Sequence, residues 1–204
     1  MSKLEFPSSY IKFNCTGCPL EENKIVWGQG NYKNKIMFIG EAPGVNEEKF
    51  GKPFVGRSGN LLNIMLEKAG LNRELFYVTN IVKCRPPNNR QPNDEEKLCC
   101  RSFLRLEITK IAPKLIVTLG STATNAILFN RRSMKLIVGK LVKTKIDLYS
   151  YLVFPMYHPS YVLRSGITRD DYLIFFLKLK RVICKIYLTQ YKRLRWLVNE
   201  ICKK

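Results

Sequence analysis

A chain of 204 residues with 46% apolar and 25% charged side chains has globular composition and enough length to bury a core, which excludes disordered and collagen-like classes. Lys and Arg number 35 against 16 Asp and Glu, a formal charge of +19 that exceeds what solubility needs and predicts a polyanionic partner, nucleic acid first and an anionic membrane surface second. No apolar run approaches the roughly 20 residues of a membrane span, and Met1 to Tyr10 lacks the basic-then-apolar pattern of a leader, so a cytoplasmic, nucleoid-associated protein is expected.

The charge is unevenly placed. Residues 131–204 carry 17 basic and 4 acidic side chains, which makes the second part the expected electrostatic footprint. The length reads as one domain spanning residues 1–204 and acting as a monomer. Seven cysteines in a reducing compartment are read as metal ligands, catalytic groups or buried thiols before disulfides.

Along the chain, short apolar runs alternate with helical patterns. Lys35 to Gly40 reads as the first strand and runs into a Gly/Pro-rich loop, Gly40 to Gly44. Ser58 and Asn60 open a helix whose Leu61, Leu62, Met65 and Leu66 share a face, closed by Gly70. Phe76 to Val82 reads as a strand, and Asn93-Asp94-Glu95-Glu96 caps a helix running to about Ile108. Lys114 to Leu119 is a third strand, stopped at Gly120 before a short helix from Ser121 to Leu128. Strand-like stretches follow at 135–142 and 151–157, and residues 171–202 read as a basic amphipathic helix or pair of helices. The expected architecture is a three-layer α/β/α sandwich around a mostly parallel central sheet. Sites in such folds lie at the C-terminal ends of strands, here the loops 40–59, 80–92 and 158–166.

Cys15-x2-Cys18 with Cys84 and Cys100 supplies four thiolates that suit zinc or an iron–sulfur cluster, and Cys99 is an alternative to Cys100. Cys184 and Cys202 fall in the apolar pattern of the last helix and read as buried thiols. Gly40-Glu-Ala-Pro-Gly44 is not a phosphate-binding P-loop, since no Gly-Lys-Ser/Thr follows. Phe54 is set between glycines, where a core role competes with stacking on a planar base. Asn80 closes a strand with a carboxamide that presents a donor and an acceptor in one plane, suited to a base edge or to an Asx turn. His158, the only histidine, ends a strand and begins His-Pro-Ser-Tyr-Val-Leu-Arg164.

Taken together these motifs resemble the family-four, iron–sulfur uracil-DNA glycosylases. The matching segments are Cys15-x2-Cys18, Gly40-Glu-Ala-Pro-Gly44 with Glu47-Glu48, Pro53-Phe-Val-Gly56-x2-Gly59, Thr79-Asn-Ile-Val-Lys-Cys-Arg-Pro-Pro87, Cys100-Arg-Ser-Phe-Leu104 and His158-Pro-Ser160. The resemblance implies a four-iron four-sulfur cluster on Cys15, Cys18, Cys84 and Cys100. Glu41 and Gly44 separate the chain from a neighbouring glycosylase family of broader specificity.

The same resemblance implies that uracil-containing DNA is the partner and that base loss initiates excision repair. It lines the uracil pocket with the amides around Gly40, Glu41 and Ala42, stacks Phe54 on the extruded base, gives Asn80 its polar edge and sets His158 on its O2. Ala42 stands where the best-known uracil glycosylases carry an aspartate, which leaves Glu41 as the nearest carboxylate to orient water. Arg57, Arg85, Arg90 and Arg164 are expected at the DNA phosphates. Two other classes compete: a noncatalytic nucleic-acid module with a structural metal leaves Asn80 and His158 without purpose, and a nuclease lacks a carboxylate cluster on the active face.

Overall fold

The computed structural model describes residues 8–129 and 133–190. In chain order it contains α1 (Ser8–Cys15), β1 (Gln29–Gly30), β2 (Ile36–Gly40), α2 (Val45–Phe50), α3 (Arg57–Lys68), β3 (Tyr77–Asn80), α4 (Asp94–Ile111), β4 (Leu115–Leu119), α5 (Ser121–Leu128), α6 (Met134–Ile137), β5 (Val142–Ile146), β6 (Tyr149–Met156), α7 (Pro159–Val162) and α8 (Arg169–Gln190). The sheet order is β1-β3-β2-β4-β6-β5. The four inner strands are parallel, and β1 and β5 join as antiparallel edges.

Alternation along β2 explains the layering. Ile36 and Phe38 enter one core with Leu62, Met65, Phe176 and Leu179, whereas Met37 and Ile39 enter the other with Ile108, Ile111, Ala123 and Ile127. A sheet buried on both faces requires near-continuous apolar strands, which is why β2 and β4 carry no exposed position. The fold is therefore an α/β/α sandwich with a mostly parallel sheet.

Asn93 caps α4 as expected: its side chain accepts from the Glu96 amide at 2.8 Å and the Glu96 carboxylate accepts from the Asn93 amide at 2.9 Å. The helix runs one turn past Ile108, to Ile111. In α8, Tyr172, Phe176, Leu179, Ile183 and Tyr187 recur at helical spacing and are all fully buried. Positions 191–202 of the expected terminal helix lie outside the described residues.

Three expectations are corrected. The apolar stretch at 135–142 is not a strand: Met134–Ile137 form α6, Gly139 turns the chain at φ 71°, and the edge strand begins at Val142. A short apolar run does not by itself distinguish a buried strand from a helical turn. The following strand starts at Tyr149 rather than 151, because Ile146 pairs with Tyr149 across a two-residue turn whose Asp147 is left-handed (φ 54°). Asp-Leu lacks the glycine that usually marks such a turn. Cys184 is disulfide-bonded rather than a free thiol, and Cys202 lies outside the described residues.

Candidate active site

The chain passes from β2 to β3 on one side and then crosses to β4 on the other, so the loops that follow these parallel strands part and open a crevice. A cleft of about 830 Å³ occupies that place, lined by residues that follow β2, β3, β4 and β6. Glu41, Ala42, Phe54, Arg57, Asn80, Arg90, His158 and Arg164 all line it.

Gly40 and Asn80 end their strands in register, so the glycine lies directly beside the carboxamide. A Cβ at Gly40 would stand 2.5 Å from Asn80 Oδ1 and 2.5 Å from the Phe54 ring, so this position admits no larger residue without displacing both. Phe54 itself is held at φ 56°, a left-handed conformation that costs a non-glycine residue about 1–3 kcal/mol and is typical of functional loops. The neighbouring Gly59 allows it, since a Cβ there would lie 2.0 Å from the Phe54 carbonyl oxygen. Phe54 is both a core residue and a cleft wall, its ring centroid 6.0 Å from that of His158.

Asn80 is 2% exposed, yet its Oδ1 has no hydrogen-bond partner. A buried unpaired acceptor costs about 1–3 kcal/mol, and the residue that carries it lines the cleft. His158 caps α7: Nδ1 accepts from the Ser160 amide at 3.1 Å and lies 2.7 Å from Ser160 Oγ. With Nδ1 used as an acceptor, the ring proton sits on Nε2. Burial, with the Arg164 charge adding to it, lowers the imidazole pKa to about 4, so the ring is a neutral N–H donor at pH 7.

Two residues that sequence reasoning did not assign a role hold this geometry. Glu47 spans the glycine loops, accepting from the amides of Val55 (2.9 Å) and Gly56 (2.7 Å) and of Gly44 (3.1 Å). The signal was present, since a Glu three residues after Gly44 is where a capping carboxylate belongs. Ser160 sets the His158 tautomer, as only its proximity in the folded turn reveals.

The arginines divide. Arg57 and Arg164 line the cleft, whereas Arg85 lies outside the lining and pairs with Glu48 (3.1 Å) and Asn89 (2.9 Å). Arg90 reaches the cleft wall but is forked onto Glu96 at 2.9 and 2.5 Å, a contact that holds the Glu96 carboxyl below its ordinary range. These contacts tie the 80–92 loop to α2 through Glu48 and to α4 through Glu96.

On the opposite side of the 80s loop, Cys15, Cys18, Cys84, Cys99 and Cys100 line one small pocket. Burial, reinforced by their mutual proximity, pushes the Cys15, Cys84 and Cys99 thiols up, Cys99 to about 11; burial also lifts Cys100 to about 11, although the Lys83 amide donates to its Sγ at 3.4 Å. Among the described residues no three His, Cys, Asp or Glu side chains converge as ligands of one metal ion. The thiols ring a space instead.

Residues 27–180 match the family model of the uracil DNA glycosylase superfamily. The chain belongs to that superfamily. It is 45% identical to the type-4 uracil-DNA glycosylase of Thermotoga maritima over 79% of this chain and 84% of that protein. It is 44% identical to the type-4 enzyme of Saccharolobus solfataricus, over 80% and 78%. Against a type-5 uracil-DNA glycosylase of Pyrobaculum aerophilum the identity is 27%, over 74% and 75%. The higher identity places the chain with the type-4 members, in agreement with Glu41 and Gly44. Among the described residues no helix is long and apolar enough to cross a membrane.

Proposed function

We propose that this protein is a monofunctional uracil-DNA glycosylase that hydrolyses the N-glycosidic bond of deoxyuridine in DNA, leaving an abasic site for base excision repair. One observation carries the reading: Asn80, whose Oδ1 is buried without a hydrogen-bond partner, lines the same cleft as a neutral His158 and the Phe54 ring. Uracil presents an N3–H donor beside its O4 acceptor, which complements a carboxamide edge, whereas cytosine reverses both. The target nucleotide leaves the stack and enters the cleft, where Phe54 supports the base face. As the C1′–N1 bond breaks, its electron pair goes to uracil and the sugar becomes oxocarbenium-like. The Nε2–H of His158 donates to O2 and stabilises that developing charge. Water, oriented by Glu41 since Ala42 has no carboxylate, adds its oxygen to C1′ and gives up a proton to solvent, and the uracil anion takes a proton as it leaves as neutral uracil. Arg57 and Arg164 at the cleft wall hold phosphates, and the enzyme acts as an intracellular, DNA-associated monomer.

A gel assay on an oligonucleotide with one uracil tests the assignment. Cutting only after alkali is expected. No abasic site would sink the assignment, and strand cleavage without alkali would favour a nuclease.

The thiol pocket suits a four-iron four-sulfur cluster held by Cys15, Cys18, Cys84 and Cys100, because a cubane takes one thiolate per iron and spreads its ligands, unlike a single ion. Such a cluster would supply a covalent junction between α1, the 80s loop and α4, outside the reaction itself. Cys100 is favoured over the less buried Cys99 because a backbone N–H already points at its sulfur. The purified protein is expected to be brown, with colour lost in Cys100→Ala and kept in Cys99→Ala. A colourless, zinc-loaded protein from anaerobic preparation would exclude the cluster, and equal loss in Cys99→Ala would exclude this ligand choice.

A further inference from the structure

Behind the base-reading asparagine lies a buried ion pair that the chemistry above does not use. Lys83 is 1% exposed and Glu107 is 0% exposed. Lys83 Nζ donates to Glu107 Oε2 at 2.7 Å, to Thr79 Oγ1 at 2.8 Å and to the Asn80 carbonyl at 2.7 Å, which uses all three of its protons. Glu107 in turn accepts from Tyr77 OH at 3.0 Å and from Thr79 Oγ1 at 3.0 Å. Three successive contacts on β3, at Tyr77, Thr79 and Asn80, are thus clamped to α4.

Two charges taken wholly out of water give little net stability, and apolar residues of like volume commonly serve a core as well or better. What such a network supplies is a single geometry. Here it fixes the last peptide of β3, the one that carries the Asn80 side chain into the cleft. The same lysine contributes its backbone N–H to Cys100 Sγ, so one residue borders both the thiol pocket and the base-reading strand end.

We propose that Lys83 and Glu107 are positioning residues for specificity: they hold the Asn80 carboxamide in the plane that distinguishes uracil from cytosine. The proposal rests on the uracil-excision reading of the cleft. Neither side chain touches the base. Their effect is exerted through the Asn80 carbonyl and the Thr79 hydroxyl, and loosening them frees the carboxamide to turn and accept the reversed edge.

The test compares uracil and cytosine release in single turnover by wild-type protein and the double variant Lys83→Met/Glu107→Leu, which removes both charges and leaves neither unpaired. The variant is expected to retain abasic-DNA binding and its circular dichroism spectrum. Its uracil-to-cytosine ratio is expected to fall by about tenfold or more, the scale of a lost buried hydrogen bond. A merely structural role would lower both rates together, and an unchanged ratio in a folded double variant overturns the proposal. Should that variant fail to fold, Thr79→Val removes one hydroxyl from the network at constant size and carries the same test: a lowered ratio supports the clamp, and a wild-type ratio overturns it. Wild-type protein that releases no uracil would instead refute the underlying reading of the cleft.

Discussion

Replacement of His158 by alanine is expected to slow single-turnover uracil release about a hundredfold or more while leaving abasic-DNA binding intact. The reason is local. Nδ1 is committed to the Ser160 amide at 3.1 Å, so the side chain has one donor, Nε2–H, on a residue that lines the cleft. A donor aimed at charge that exists only as the bond breaks is worth about 2.7–4 kcal/mol in the transition state and little in the ground state. Product binding, which involves no such charge, is therefore spared. Wild-type rates in His158→Ala would defeat the mechanism.

The same geometry sets a pH dependence. Burial depresses the imidazole pKa to about 4, so the neutral ring persists as pH falls through the ordinary histidine range. Protonation at Nδ1 removes the acceptor for the Ser160 amide and unseats the ring. The single-turnover rate is thus expected to show no His158 inflection between pH 8 and about 5, and to fall only as the pH approaches about 4. An inflection near 6.5 that His158→Ala abolishes would contradict a donor held neutral.

Asn80→Asp is expected to reduce uracil release by about a hundredfold or more and to lower the uracil-to-cytosine ratio by at least about tenfold, by the scale on which unpaired polar groups penalise a mismatched ligand. A carboxylate cannot donate to uracil O4, but it accepts from the cytosine amine. The substitution preserves size, so Gly40 and Phe54, whose contacts with Asn80 leave no room for a Cβ at position 40, keep their places. Single-turnover release from uracil- and cytosine-containing duplexes measures both quantities. An unchanged ratio would show that Asn80 does not read the base.

These two residues illustrate what is legible before folding. Asn80 and His158 each follow an apolar run, and a parallel sheet places such positions at one edge, so the active face emerges from strand order alone. The strands Ile36–Gly40 and Leu115–Leu119 were equally plain, because burial on both faces demands unbroken apolar runs. The stretch at 135–142 was not plain: the short apolar run Leu136 to Val138 fits a strand or a helical turn, and packing against β6 decided for the turn.

By itself, then, the sequence determined the α/β/α layering, the loops that meet at the cleft, the cysteines that share a pocket and the family, since each follows from local hydrophobic period or from motif spacing. Beyond the Asn93–Glu96 cap that the sequence marks, the folded structure decided which polar atoms are paired. Lys83 reads as a loop lysine until Glu107, 24 positions away, closes over it in the core. Arg85 and Arg90 have no visible carboxylate partner in the sequence until Glu48 and Glu96 pair with them. His158 has no defined tautomer until Ser160 turns its amide onto Nδ1. Hydrogen bonds and ion pairs act over about 3 Å, and residues far apart in the chain come within that distance only once the sheet has formed.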